Sequence, residues 1–334
     1  DKCLVKMEEE AGEVAKTLGP LNPNSPVTVK AALEKAIGHK IKSTEDRELA
    51  KIKNQCIAVP HIQSFRHHSK MRDSYADKLI PYLDEEGRVH PTIRVTGTET
   101  GRLRVSEPPL QAIPTRTELG REVRKAFIAK PDHLLLSIDY SQIEMRVLAH
   151  VSQCKNLMKV FHRGGDIHTD TAVEIFGVTR EQVMADQPKY RYPVKRLHFG
   201  IVYGITAEGL YEGMLEEGVE EGSWDIKRCQ GFIDDYYKTN PEVRLYTRAM
   251  VAEANHYGYV RDPLFGRIRY LPEIGLPFRR ERAEGERQAA NMPIAAAAQG
   301  IIKLATSEVN NWRQWQNMEG FDFLLQIHDE LLYE

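Results

Sequence analysis

The 334-residue chain predicts an α+β fold in which a discontinuous sheet carries helical insertions. Two observations predict it. Helical periodicity fills residues 1 to about 87 and again 155 to about 250, while short apolar runs flanked by Gly, Pro and Thr read as strands between and after these blocks. An apolar run at 134–139 also switches at Ser141 to helical spacing, as a strand feeding a helix would.

Each element follows from local pattern. EEEAGEVAKTLG, TVKAALEKAIG, TEDRELAKIKNQCIAV and SFRHHSKMRDSYADKLIPYL predict four helices, the first two separated by the loop LNPNSP. GRVHPTIRVTGTETGRLRV reads as strands and turns, 134–139 as a buried strand, and 141–152 as a helix. KNLMKVFH, HTDTAVEIFG, a basic segment through FGIVYG, WDIKRCQGFIDDYYKT and PEVRLYTRAMVAEANHYG continue as helices. GYVRDPLFGRIRYLP predicts a hairpin, 278–312 a long helix, and FDFLLQIHDELLYE a strand–turn–strand.

Composition excludes several classes. No run of 18 apolar residues is present, so no membrane span is expected, and DKCLVKMEEE lacks an apolar signal core. Cys3, Cys56, Cys154 and Cys229 form no C-x-x-C pair, which fits a reducing compartment and argues against zinc or disulfides; a cytoplasmic location is expected, with an organelle left open. The chain starts without Met and stops inside a strand-like run, as a piece of a longer protein would.

Net charge is −2, yet residues 88–130 hold nine Lys/Arg against four Glu, a local +5. Lys189, Arg191, Lys195 and Arg196 form a second basic cluster. Such stripes suit a phosphate-binding groove, or equally a solvated surface.

Three constellations carry candidate chemistry. Asp139 ends the strand of LLLSIDYSQIEMR, where it reads either as a helix cap or as a hard-oxygen ligand for Mg²⁺. His328-Asp329-Glu330 occupies a hairpin turn, where three ionisable groups suit a cation or substrate, a metal phosphohydrolase, or a solvated turn. Arg191, Lys195, Phe199 and Tyr203 recur every four residues, one stripe of a helix about 18 Å long. Cations then aromatics on one face suit a triphosphate and a stacked base, where a buried core stripe would not open with Arg and Lys. Together, Asp139 and Asp329 would hold two Mg²⁺ ions about 3.5–4 Å apart for in-line phosphoryl transfer, with Arg191 and Lys195 on the triphosphate.

DYSQIEMR, R-xxx-K-xxx-FG-xxYG and HDE, in this order, resemble the three polymerase motifs of family A DNA polymerases, the bacterial DNA polymerase I type. TGTETGRL with PPLQAIP, GGDIH, FGRIRYLP and ERQAANMP strengthen the resemblance, which runs from about residue 80 to 334 and more faintly before it.

The resemblance implies a right-hand polymerase fold: a partial helical thumb at 1–87, an antiparallel-sheet palm from 88–155 and 251–334, and helical fingers at 156–250. It implies primer–template DNA and dNTPs as partners, no membrane, a monomer, and two Mg²⁺ ions with Mn²⁺ as an alternative. Asp139 and Asp329 match the metal-binding aspartates, with the Tyr140 carbonyl as a further ligand. Arg191 and Lys195 match the triphosphate-binding pair, Lys195 also as a candidate general acid toward pyrophosphate. His168 matches a further phosphate contact, and Gln142 joins the nucleotide-binding set. Glu144 matches the steric gate against a ribose 2′-OH; Phe199 packs at the sugar and implies discrimination against dideoxynucleotides; Tyr203 shapes the templating-base pocket. Arg102, Arg287, Asn291, Gln326 and His328 match primer–template contacts through backbone and minor groove.

Departures from the family pattern stand at three positions. Ala295 occupies the place of a Gln that contacts the minor groove, and His198 that of an Asn beside Phe199. Pro193 falls in the fingers stripe, so it is expected in the helix's first turn, with Arg191 at the N-terminus. No exonuclease-like segment is expected among the first 87 residues, and the palm is expected to stop short of the family's usual end. The competing readings are a single-subunit RNA polymerase, an inactive primer–template-binding fragment and a metal phosphohydrolase. Glu144 and Phe199 argue against the first.

Overall fold

A computed structural model describes residues 2–334 except 115–116, 217–218 and 220–221. Arg116 of the basic segment therefore lies outside the described residues. The chain divides into two compact units, residues 1–93 with 105–130, and residues 94–104 with 131–334.

The first unit is helical: α1 (Lys2–Leu18), α2 (Pro26–Ile37), α3 (Asp46–Ala50), α4 (Ala58–Met71), α5 (Asp77–Leu79) and α6 (Glu118–Lys125). Val14, Val29, Leu33, Leu49, Val59 and Ile62 form its main core. Buried Glu10 crosses from α1 to α4. Burial pushes its carboxyl up, but bonds from His61, Ser64 and Lys6 win and hold it below the usual carboxylate range.

α2 follows the capping rules. Ser25 accepts from the Thr28 N–H, Pro26 opens the helix and left-handed Gly38 ends it. The helix expected across TEDRELAKIKNQCIAV is corrected to the five residues of α3 followed by turns. Ile52 N–H reaches Leu49 O and Gln55 N–H reaches Ile52 O, i→i−3 bonds that tighten the chain where Asn54 favours a turn. The fourth expected helix starts earlier, at Ala58, and passes through a π-turn at Arg72–Ala76.

Two short strands, β1 (Thr92–Arg94) and β2 (Arg104–Ser106), mark where the chain passes between the units. The second unit follows with β3 (Leu136–Asp139), α7 (Ile143–Ser152), α8 (Lys155–His162), α9 (Ile167–Phe176) and α10 (Arg180–Ala185). Next come α11 (Gln187–Val202), α12 (Ala207–Glu216), α13 (Ile226–Thr239) and α14 (Pro241–Tyr257). The hairpin β4 (Tyr259–Arg261)–β5 (Ile268–Tyr270), the 37-residue α15 (Arg279–Trp315), β6 (Phe323–Ile327) and β7 (Glu330–Tyr333) complete it. No helix among the described residues is long and apolar enough to cross a membrane.

β3, β7 and β6 form an antiparallel sheet with β7 in the centre. Behind it, the core draws on α7, α9, α11, α13 and the alanine-rich middle of α15, where residues 294–298 are all buried.

Two expectations are corrected here. β3 was expected to be buried, but Leu136 and Ile138 are 47% and 41% exposed. β7 covers only one of its edges, so an apolar strand sits at the rim of the sheet. Pro193 was expected in the first turn of its helix, but it is buried in the interior of α11, six residues after Gln187. It removes the N–H that would reach Lys189 O, at about 3 kcal/mol. Packing of Val194, Leu197, Ile201 and Val202 into the core outweighs that local preference. Arg191 accordingly lies in the second turn rather than at the very N-terminus.

Candidate active site

Every residue singled out from the sequence for metal, nucleotide or DNA lies in the second unit. The basic segment 88–130, by contrast, is divided. Arg94, Arg102 and Arg104 belong to this unit and the other described cations to the helical one.

The register of the sheet builds the carboxylate pair. Asp139 ends β3 opposite Glu330 at the start of β7, and the Tyr140 N–H donates to Asp329 O at 3.1 Å. Asp329 follows His328, whose positive φ of 54° closes a two-residue turn between β6 and β7. The hairpin tip thus holds His328 and Asp329. Glu330 belongs to the strand, where its carboxylate accepts the Ser137 hydroxyl.

Asp139 is exposed and Asp329 half-buried. Burial, then the charge of Asp139, raises the Asp329 carboxyl above its ordinary range, against Arg102 and His328. Asp329 Oδ1 is buried without a hydrogen-bond partner.

That orphaned oxygen tests the fit of a divalent cation. Two carboxylates beside a backbone carbonyl are a hard-oxygen donor set suited to Mg²⁺. The Tyr140 carbonyl accepts from the Ile143 N–H at 3.3 Å and keeps its second lone pair. Among the described residues no three His, Cys, Asp or Glu side chains converge on one point. Mg²⁺ sites of the kind completed by substrate phosphates need only one or two carboxylates.

Gln142 adopts left-handed backbone, φ 57°, and turns the chain from β3 into α7. In the first turn of α7, Glu144 accepts from Arg102 Nη2 at 2.7 Å and from the Tyr203 hydroxyl at 3.2 Å. Burial raises the Glu144 carboxyl, the Arg102 guanidinium opposes it, and the Asp329 charge adds to it. Arg102 thus couples electrostatically to both Glu144 and Asp329.

α11 presents two different faces. Val194, Leu197, His198, Ile201 and Val202 are buried, while Phe199 and Tyr203 are 50% and 43% exposed. The Phe/Tyr stripe therefore faces outward. Tyr203 itself sits just past the helix end, at its C-cap. Gly204, at φ +64°, follows in a conformation suited to glycine, and a Cβ there would stand 2.8 Å from Arg287 Cγ.

Asp166 organises the cationic N-terminal half of α11, a role the sequence reading missed although it quoted GGDIH. It caps α9 and accepts from Arg191 Nε at 3.0 Å, Thr169 Oγ1 at 2.6 Å and Gln142 Nε2 at 3.3 Å. Burial works against its charge, but Thr169 and Arg191 hold its carboxyl far below the usual range. The only sequence signal was an Asp just before a helical run, the pattern of an ordinary cap. Lys195 is half-buried and, among the described residues, has no ion-pair partner. With Arg191 it acts electrostatically on His168.

His168 is buried and its Nδ1 lies 2.9 Å from Nδ1 of His198. His198 has no exposure at all, which gives the departure at that position a structural setting.

The remaining residues gather along α15 and the hairpin. Arg287 pairs with Glu284, and Asn291 Nδ2 is buried without a partner. Gln326 Nε2 donates to Gln299 Oε1 and to His328 O, both at 2.8 Å. Gln299 is buried one helical turn beyond Ala295 and was also missed. Its Nε2 is unpaired on the face shared with Asn291.

The structure resembles that solved for the "POL domain of Pol1 from M. smegmatis complex with DNA primer-template and dNTP", at a TM-score of 0.90 and 31% identity, covering 100% of this chain and 58% of that one. The fold is accordingly the α+β right-hand polymerase fold. The family model described as DNA polymerase family A matches residues 1–334, and the chain belongs to that family.

Curated relatives agree. "DNA polymerase I, thermostable" of Thermus filiformis is 38% identical over 340 residues, 98% of this chain and 39% of its own length. The protein of that name from Thermus aquaticus is 39% identical over 294 residues, 88% of this chain and 34% of its own length. "DNA polymerase I" of Pseudomonas aeruginosa is 36% identical over 341 residues, 99% of this chain and 36% of its own length. The chain thus spans less than two fifths of the length of each.

Proposed function

We propose that this chain is the polymerase portion of a template-directed DNA polymerase that extends a primer 3′-OH with dNTPs, without proofreading of its own. The observation that carries the proposal is Asp329 Oδ1, buried and unpaired beside Asp139 in the unit that also holds Arg191 and Lys195. A buried carboxylate oxygen left unsatisfied is costly unless a cation completes it. Asp139, Asp329 and the Tyr140 carbonyl would hold Mg²⁺, two ions in this reading, which would supply Lewis-acid activation of the attacking hydroxyl and charge neutralisation at the leaving pyrophosphate.

The protein's own groups do the rest. Arg191, oriented by Asp166, and Lys195 offset the triphosphate charge, with Lys195 as the candidate proton donor to pyrophosphate. Exposed Phe199 and Tyr203 offer flat faces to the sugar and the base. Glu144, held by Arg102 and Tyr203, presents a carboxylate where a 2′-OH would project. Arg102, Arg287, Asn291, Gln326 and His328 follow the primer–template. In this reading residues 1–87 act as thumb, 156–250 as fingers, and 88–155 with 251–334 as palm. The β3–β7 pairing between the two palm segments supports that assignment.

Primer extension on a primed template with and without Mg²⁺ tests the proposal, Asp329→Ala serving as control. Metal-dependent extension by the wild type alone is expected. Template binding without extension would establish the binding-fragment reading, and equal use of rNTPs the RNA polymerase reading.

A further inference from the structure

We propose that His198 is a positioning residue that donates its Nδ1–H to His168 and thereby fixes His168 as the neutral tautomer with its proton on Nε2, a hydrogen-bond donor for a phosphate oxygen. The proposal rests on the nucleotide reading of the site given above.

The two Nδ1 atoms, one on α9 and one on α11, lie 2.9 Å apart. At that separation one proton lies between them. Two N–H groups would collide, and none would set two lone pairs face to face. His168 is 4% exposed and His198 fully buried, so solvent cannot relieve either arrangement. Both rings are neutral near pH 7. Burial lowers His168 to about 4, with Arg191 and Lys195 adding to it against Asp166. Burial, then His168, lowers His198 well below its ordinary value, again against Asp166.

Two neutral arrangements remain, and the far side of His198 separates them. His198 Nε2 is buried with no hydrogen-bond partner. If His168 were the donor, His198 would carry its own proton on Nε2, as a buried N–H with no N or O acceptor and only the Tyr236 ring, its centroid 5.4 Å away and edge-on, as a weak partner. If His198 is the donor, only a lone pair is left there. Orphaned buried N–H groups are the rarer defect, so the proton belongs to His198 Nδ1. His168 must then carry its proton on Nε2.

The consequence falls on the anion site. His168 is the second residue of α9, next to the cap Asp166 that clamps Arg191, with its ring 6.0 Å from that of Phe199. A neutral N–H adds a hydrogen bond to phosphate without placing a third positive charge beside Arg191 and Lys195. It also accounts for the departure from Asn at this position. An amide N–H and an imidazole N–H can both donate to His168 Nδ1, whereas an apolar side chain cannot.

Long-range ¹H–¹⁵N spectra of the imidazoles in unliganded protein test the first half, with His168→Gln assigning the signals. His168 is expected as the Nε2–H tautomer in the wild type and in His198→Asn. In His198→Leu that tautomer should be lost, and affinity for inorganic tripolyphosphate should fall about tenfold relative to His198→Asn. Finding His168 as Nδ1–H, with the His198 Nε2–H directed at the Tyr236 ring, would overturn the proposal. So would equal tripolyphosphate affinity in the Leu and Asn variants, or no binding by the wild type. Should His198→Leu not fold, the wild-type and His198→Asn spectra still decide. A wild type that keeps the tautomer and binds tripolyphosphate yet extends no primer sinks the polymerase reading and leaves this one standing.

Discussion

The Tyr203 hydroxyl donates to the Glu144 carboxylate, 3.2 Å from Oε1 and 3.3 Å from Oε2, while Arg102 holds Oε1 from another direction at 2.7 Å. A glutamate held from two directions is pre-organised, and its steric effect on an incoming sugar should depend on both partners. Glu144→Ala is expected to narrow the preference for dNTP over rNTP at least tenfold, roughly the discrimination that one well-placed group provides. Tyr203→Phe removes one hydrogen bond, worth about 0.5–1.5 kcal/mol, and should shift the preference less. Single-nucleotide incorporation with each sugar measures both, and an unchanged ratio in Glu144→Ala would remove it from this role.

Asp329 should trade stability for activity. Its carboxyl is raised by burial and by Asp139, so on deprotonation the folded state is disfavoured relative to the unfolded one. The folded protein keeps the proton after the unfolded chain has lost it, so stability falls as pH rises above the ordinary Asp value of about 3.9. Asp329→Asn removes that penalty. Extension should be abolished, while the variant melts higher than wild type at pH 7. The gap should close as pH falls toward 4. Thermal melts across that range check the sign, and a variant melting lower at pH 7 would contradict it.

Asp166 gives the opposite sign. Its carboxyl is held well below the usual range by Thr169 and Arg191 despite burial. The stability it contributes is therefore fully present above the ordinary Asp value and lost as pH falls through that value toward the depressed one. Asp166→Ala removes a helix cap and an ion-pair partner at once and should cost about 1–2 kcal/mol at pH 7. The difference from wild type should shrink in acid. Arg191, released from its clamp, should raise KM for dNTP more than it lowers kcat. Steady-state kinetics at pH 7 beside melts from pH 7 to below pH 4 would separate the two effects.

How much of this was legible depended on whether the cause was local. Capping, periodicity and turn residues located α2, α8, α9 and the β6–β7 hairpin, and the motifs singled out Asp139 at the end of β3 and Asp329 in the turn that opens β7, the strand paired with β3. The exposure of β3 was not legible. The run LLLSI looks buried whichever strand flanks it, and only the sheet order puts it at an edge. Asp166 and His198 were hidden for the same reason. Each owes its role to the approach of α9 to α11, and neither helix's sequence contains that fact. Residues 105–130 pack with the N-terminal helices through contacts of Ile113 and neighbours with Met71 and Tyr75, distant in sequence.

Pro193 offers a test of local against tertiary preference. In the interior of α11 it forgoes one backbone bond and crowds the preceding turn, at about 3 kcal/mol. Replacement by Ala restores the N–H to Lys189 O but removes two buried ring methylenes, worth about 0.8 kcal/mol each. The balance favours Pro193→Ala by about 1 kcal/mol, so the variant should melt higher than wild type. Because Arg191 and Lys195 flank this position on the same helix, a straightened turn should also change their spacing. We expect KM for dNTP to rise even as stability increases. A variant less stable than wild type would show that the ring fills space the core cannot close, and that packing rather than backbone decides this position.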